Sequence, residues 1–399
     1  MKTASHLVPL HGRIRKSGNW KAFVNRFIKA SPQIAMKVNC QSQVVVCVSL
    51  EHHRMQFPRE ILVGHGAVER IGEISHRLGF THSALIVAGP KTFDAAGRRV
   101  KEILENEERM NVNTFFIETA TVEAVDAVGK KIRALKPEVV FGVGGGTKID
   151  VAKCSSANEE IPFISVPTAA THDGIASPVS SIKGSEKPYS RMTQAPLAIV
   201  ADTNIIMHAP WRFAVSGCED VIAKFTAVRD WKLAHEEKNE YYGGYSASLA
   251  LMSAKHVVHN VELMRRENEE GLRVLMEALI SCGVSMSIAG SSRPCSGSEH
   301  LFSHALDVIV PNHALHGERC GLGTIMMAYL HGLDWRRIRD ALKRLGAPTN
   351  AEELGVGKEV VVRALEMAAT IRPERYTILN KLSLCHEAYE RLAKTTEII

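Results

Sequence analysis

The 399-residue sequence predicts an α/β domain built on a parallel sheet, followed by an all-α domain. Short apolar runs alternate with helix-compatible segments from Gln56 to Asp202, the pattern of βαβ units. After Trp211 the strand-like runs stop and helix-compatible segments follow one another, punctuated by Pro294, Pro311, Pro348 and Pro373. The length agrees, since domains average about 150 residues and two or three are expected here.

The elements follow in order. Glu60–Val63 reads as a strand and Ala67–Leu78 as a helix. Ala84–Ala88 is a buried strand that ends at the turn signal Gly89-Pro90. Lys91–Glu108 has helical composition, Thr114–Ile117 is a strand, Val122–Leu135 a helix and Val139–Val143 a strand. A helix over Thr147–Ala157 and strands at Pro162–Val166 and Ala198–Asp202 complete the first half. Expected helices then run over Cys218–His235, Tyr241–Arg265, Glu269–Cys282, Ser298–Val308, Gly317–Gly332, Asp334–Leu345, Gly357–Ala369 and Tyr376–Ala393. The domain boundary falls near 205–212, giving domains of 55–208 and 209–399.

Residues 1–54 read differently. They hold nine Lys or Arg against the single acid Glu51, a net +8, so the rest of the chain carries −2 of the total +6. This segment is expected to be a poorly ordered basic extension with one β-like run, Gln43–Leu50. The basic character of the chain therefore belongs to its leader, and no nucleic-acid partner is expected of the body. No apolar run approaches the roughly 20 residues of a membrane helix, so stable membrane insertion is not expected. Eight scattered cysteines without a CxxC pair suit a reducing cytoplasm.

Three constellations carry chemistry. Val139–Lys153 runs an apolar strand into Gly144, Gly145 and Gly146, and Thr147 then opens a helix. Glycines allow close backbone approach, and the helix N-terminus favours a pyrophosphate. The loop Ser165–Ser177 offers Thr168, Thr171, Asp173 and Ser177 at the carboxyl end of a predicted strand, where ligands of open sheets bind. In the helical half, His300 and His304 lie i, i+4 on one face, His316 follows in a short loop, and Asp220 sits near the start of its expected helix. One carboxylate with two imidazoles leaves coordination positions open, as a catalytic zinc requires; iron or nickel also suits such donors. His256 and His259 form a similar pair without that context.

Taken in order, GGGTKIDVAK, SVPTAATHDGIAS, SGCEDVIAKFTAVRDW, GSEHLFSHALD and HGERCGLG make residues 56 to 395 resemble the archaeal-type glycerol-1-phosphate dehydrogenases of the iron-alcohol-dehydrogenase and dehydroquinate-synthase superfamily. The resemblance implies a Rossmann-like nucleotide domain, a helical metal-binding domain and a cleft between them. It implies that Gly146, Thr147, Lys148, Ile149 and Asp150, with Thr168, Ala169, Ala170, Thr171 and Ser177, line the dinucleotide. It places the metal, usually zinc, on Asp220, His300 and His316, and substrate on Asp173, Asp220 and His304. Where Glu219 stands, the family often has glycine.

The implied reaction is reversible hydride transfer between NADH or NADPH and dihydroxyacetone phosphate, giving sn-glycerol 1-phosphate for ether-lipid backbones. The metal acts as Lewis acid and His304 contacts a substrate oxygen or relays the proton. The turn Gly89-Pro90-Lys91 lacks the acid that binds a ribose 2′-hydroxyl, which favours NADPH, with Lys91 facing the 2′-phosphate. Lys183, Lys187, Arg191, Lys224 and Arg293 are candidates for the substrate phosphate. The enzyme is expected to form a homo-oligomer. The alternatives are a glycerol dehydrogenase, a dehydroquinate-synthase-like lyase, or a non-catalytic binding protein using its basic leader.

Overall fold

The computed structural model describes residues 34–38, 44–48, 53, 55–184, 188–311 and 313–399. Residues 55–399 form one unit and residues 1–54 another. In the leader, Ile34–Val38 (β1) pairs antiparallel with Val44–Val48 (β2), the second strand lying within the expected β-like run. The remaining expectations for 1–54 lie outside the described residues.

Six parallel strands make the central sheet: Glu60–Gly64 (β3), Ser83–Ala88 (β4), Asn111–Phe116 (β5), Val139–Gly144 (β6), Phe163–Pro167 (β7) and Ala198–Asp202 (β10), in spatial order β3-β10-β7-β6-β4-β5. From β4 the chain winds first outward to β5 and then back across to β6. The strand order therefore reverses between β4 and β6, and ligand crevices open at the carboxyl ends of such a pair. Alternation along the strands loads both faces. Ala84, Ile86 and Ala88 pack on one side with Val100, Ile103 and Leu104, while Leu85 and Val87 pack on the other with Val125, Val128 and Ile132. Central parallel strands buried on both faces read as continuous apolar runs, which is why they were legible.

The helices beside the sheet are Ile71–Arg77 (α1), Val122–Leu135 (α2) and Gly146–Asn158 (α3). The expected helix over Lys91–Glu108 is a run of short turns from Pro90 to Glu107, two of them wide π turns. A hairpin, Val179–Lys183 (β8) with Pro188–Met192 (β9), was not foreseen. Its short polar strands lack a clean alternation, and Pro188 is tolerated only because it starts a two-stranded ribbon.

The helical half comprises Trp211–Ile222 (α4), Lys224–Lys238 (α5), Gly244–His259 (α6), Glu269–Ala289 (α7), Ser298–Ile309 (α8), His316–Leu330 (α9), Trp335–Leu345 (α10), Lys358–Ile371 (α11) and His386–Thr395 (α12), with short turns between some of them. Several expectations need correction. The helix read as Cys218–His235 is two helices, and Asp220 stands near the end of the first. Pro210 caps that helix at Trp211, and Thr226 Oγ1 takes the Ala223 carbonyl at 3.0 Å where the two meet. The segment read as Tyr241–Arg265 is helical only from Gly244 to His259. Tyr376–Ala393 is interrupted at Ser383, which takes a left-handed backbone with φ 45°. His316 begins α9 instead of standing in a loop. Helix α7 extends seven residues past Cys282 to a left-handed Gly290, and at 21 residues it is long and apolar enough to cross a membrane. It is mostly buried, against α6 and α4.

Candidate active site

The glycine loop stands at the strand-order reversal. The Gly89 amide donates to Thr92 Oγ1 at 2.9 Å, and Thr92 Oγ1 donates to the Val143 carbonyl at 3.0 Å, joining the ends of β4 and β6. Gly145 caps α3 and its carbonyl accepts from the Lys148 amide at 3.0 Å, which leaves the amides of Gly146 and Thr147 without an intrahelical partner. A methyl group on Gly146 would lie 1.8 Å from His172 Nε2, so glycine is required there by the imidazole pressed against it. Thr147 is exposed beside the loop, and Lys148 reaches across it to the Glu118 carbonyl at 2.8 Å. Ile149 is fully buried. Asp150 accepts from the Ser181 amide at 3.0 Å and from Lys153, so its side chain serves the hairpin. Lys91 is exposed in the turn after β4.

The second loop lies alongside the first. The Thr168 amide donates to the Gly144 carbonyl at 3.1 Å. Ala169 and Ala170 are buried, and Ser177 donates its hydroxyl to the Val179 carbonyl. Thr171 Oγ1 is buried without a hydrogen-bond partner, an orphan donor of the kind a bound ligand satisfies.

From this loop the chain reaches the helical half directly. The Asp173 amide donates to Asp220 Oδ2 at 2.9 Å. Asp220 Oδ1 faces His300 Nε2 at 3.5 Å and His316 Nε2 at 4.0 Å. Two donors about 2.1 Å from a tetrahedral ion stand about 3.4 Å apart, so these three side chains fit a single divalent cation after small adjustment. His304 lies beside them, its ring centre 6.3 Å from that of His316. All four expected residues are thus brought together. Cys320 joins His300 and His316, its donor atom within 4.8 Å of theirs.

Charge in this pocket is tightly managed. Lys224 is fully buried and bridges Asp220 Oδ1 and Asp173 Oδ2, each at 2.8 Å. Burial opposes its charge, but the two carboxylates win and hold it firmly protonated. Burial likewise opposes ionisation of Asp220, yet Lys224 and the two imidazoles keep its carboxyl well below the usual range. Burial and the neighbouring charge of His300 push His316 well below an ordinary histidine, leaving a neutral ring suited to ligation. Burial also lowers His304, helped by Arg372 and then by His300, Arg319 and Arg375.

Three features escaped the sequence. Glu299 is fully buried, and its Oε1 accepts from His300 Nδ1 at 2.8 Å and from the Gly297 amide at 2.7 Å, while Oε2 accepts from Thr226 at 2.7 Å. It turns Nε2 of His300 toward Asp220. Its position directly before His300 was the available signal. His172 touches the glycine loop and lies 5.9 Å from the His316 ring, so it spans the two binding regions. Arg372 and Arg375 act on His304 from a distant part of the chain, which no spacing could reveal.

Of the candidates for the phosphate, Lys224 is engaged with Asp173 and Asp220. Arg293 donates to Glu240 Oε1 at 2.6 Å and to the Tyr376 carbonyl at 3.0 Å. Lys183 lies 3.9 Å from Asp307, Arg191 is exposed on the hairpin, and Lys187 lies outside the described residues.

Residues 62–210 match the family described as iron-containing alcohol dehydrogenase. Solved structures of similar fold include glycerol dehydrogenase from Schizosaccharomyces pombe, with TM-score 0.71 and 20% identity, covering 87% of this chain and 90% of that one. Sulfoacetaldehyde reductase from Bifidobacterium kashiwanohense, in complex with NAD+, has TM-score 0.68 and 20% identity over 86% and 99% of the two chains. These share the fold. Much nearer in sequence is glycerol-1-phosphate dehydrogenase [NAD(P)+] of Methanosarcina acetivorans, 52% identical over 86% of this chain and 96% of its own. The protein of the same name from Pyrococcus furiosus is 50% identical over 87% and 100%. With half its residues shared over nearly the full length of such relatives, the chain belongs to the glycerol-1-phosphate dehydrogenase family of iron-containing alcohol dehydrogenases.

Proposed function

We propose that this chain is an oxidoreductase that reduces dihydroxyacetone phosphate to sn-glycerol 1-phosphate with NAD(P)H, supplying the glycerophosphate of ether lipids in the cytoplasm. The observation that carries the reading is the meeting of Asp220, His300 and His316 beside a glycine loop at the strand-order reversal. In this reading residues 55–208 bind the dinucleotide and 209–399 carry the metal and substrate. Cys154, Cys218, Cys282, Cys295, Cys320 and Cys385 are free thiols, which suits a reducing compartment. Tyr245 and Met252, exposed seven residues apart on α6, offer a surface for homo-oligomerisation.

When bound, the divalent ion supplies Lewis-acid polarisation of the carbonyl and the nicotinamide supplies the hydride. Asp220, His300 and His316 hold the ion. Their donor set suits zinc, and also iron or nickel. Glu299 keeps His300 in the ligating tautomer. The amides of Gly146 and Thr147 receive the pyrophosphate at the α3 N-terminus, with the Lys148 side chain lying across the loop. Ile149 and Asp150 fix the first turn of that helix from within. Thr168, Ala169, Ala170, Thr171 and Ser177 wall the dinucleotide. Asp173 and Asp220 orient substrate hydroxyls, and neutral His304 donates a hydrogen bond to a substrate oxygen and relays a proton to it, taking one from solvent at its other ring nitrogen as it gives one up. Lys91 favours NADPH by meeting a 2′-phosphate.

The test is an assay of zinc-loaded enzyme with dihydroxyacetone phosphate and dihydroxyacetone, using NADPH absorbance and chiral analysis of the product. Preference for the phosphate with sn-glycerol 1-phosphate as product supports the reading. Equal use of dihydroxyacetone would make the chain a glycerol dehydrogenase instead.

A further inference from the structure

The more buried arginines near α8 differ in what their guanidiniums meet. Arg293 pairs with Glu240, and Arg319 donates to Asp307 Oδ1 at 2.8 Å. Arg372 and Arg375 are different. They occupy the ends of one tight turn after α11, closed by the Arg375 amide donating to the Arg372 carbonyl at 2.9 Å, with Pro373 in the position that favours such a turn. The Arg375 guanidinium donates to the Ser296 carbonyl at 2.5 Å and to Ser292 Oγ at 2.8 Å, neither an anion. These bonds pin the turn to the loop that leads into α8, the helix of His300 and His304. Arg372 is partly buried, and among the described residues its guanidinium makes no hydrogen bond or ion pair.

Glu240 is held by Arg293 and Glu299 by His300 and Thr226, while Glu374, exposed two residues from Arg372, balances part of its charge from the solvent side. Burial, and then the repulsion of Arg372 and Arg293, depress Arg375 to about 9. The bond to Ser296 sets the turn just ahead of α8, four residues before His300, and α11, which leads into the turn, packs along α8. Buried charge not bonded to a carboxylate is costly, and two guanidiniums on one turn match a dianion with several acceptor oxygens.

We propose that Arg372 and Arg375 form an anion subsite that receives the phosphate of a short phosphomonoester whose carbonyl end lies at Asp220, His300 and His316. This rests on the function proposed above. The Ser296 carbonyl that Arg375 holds precedes His300 by four residues, a separation on the order of one helical turn that a three-carbon phosphomonoester can bridge.

The test compares zinc-loaded wild type with Arg372→Gln and Arg375→Gln. The readout is the ratio of kcat/KM for dihydroxyacetone phosphate to that for dihydroxyacetone. That ratio falls at least ~10-fold in each variant, through KM for the phosphate. The Arg372 guanidinium makes no structural bond, so Arg372→Gln folds even if Arg375→Gln does not. A second arm adds phosphite dianion to the dihydroxyacetone assay: wild type is activated and the variants lose the activation. A wild-type ratio well above one that both variants retain overturns the subsite, as does a defect confined to the KM for NADPH. A wild-type ratio near one overturns the proposed substrate instead. The subsite is then decided by inorganic phosphate, which must raise the Tm of wild type more than that of Arg372→Gln.

Discussion

At the scale of single residues, the centre depends on groups that touch no ligand. Glu299 fixes the tautomer of His300 through a buried 2.8 Å bond. Removing the charge with Glu299→Gln should weaken zinc binding about 10-fold or more, measured by competition with a chromophoric chelator. Glu219 is the opposite case. It is fully buried, neither carboxylate oxygen has a hydrogen-bond partner, and burial followed by the nearby Glu318 pushes its carboxyl well above the usual range. Glu219→Met keeps the volume and removes the orphan oxygens, so chemical denaturation should show a gain of about 1–3 kcal/mol. The sequence displays ligands well, because metal chemistry limits which side chains serve and a helix fixes their spacing. His300 and His316 were legible for that reason. Arg372 and Arg375 were not, because what marks them is that no carboxylate bonds to either guanidinium in the fold.

At the scale of elements, the active-site loops are held by helix packing. Gly217 on α4 lies so close to the second loop that a methyl group would stand 2.2 Å from the Ala170 carbonyl oxygen. Gly217→Ala should therefore lower stability by about 1–3 kcal/mol, seen as a lower Tm, and raise the KM for NADPH because the loop must shift. The strands of the sheet were readable from their apolar runs. Helix ends were less so: the break at Ala223 carries neither glycine nor proline to mark it, and hairpin β8–β9 rests on a pairing that its polar residues do not advertise.

At the scale of the whole molecule, the centre joins pieces far apart in sequence: a loop after β7, the end of α4, and the starts of α8 and α9. A ligand held by several segments stabilises the folded state in proportion to its saturation. Zinc at 100 times its Kd should contribute about 2.7 kcal/mol, and removal with a chelator should lower the Tm, with recovery when zinc is restored. The change from an α/β half to a helical half was plain in the sequence, since it is a change of hydrophobic period. The depth of their union was not.

That union has a consequence for motion. The Asp173 amide is bonded to Asp220, Ser216 donates to the Thr171 carbonyl at 3.3 Å, and the Gly317 amide donates to Ser216 at 3.1 Å, so one stitched seam runs from the sheet into two helices. The chain cannot breathe along this line without undoing its own centre. In deuterium exchange the amides of Asp173 and Gly317 should trade their protons only when the body of the protein comes apart, far later than the outward-facing turns around them.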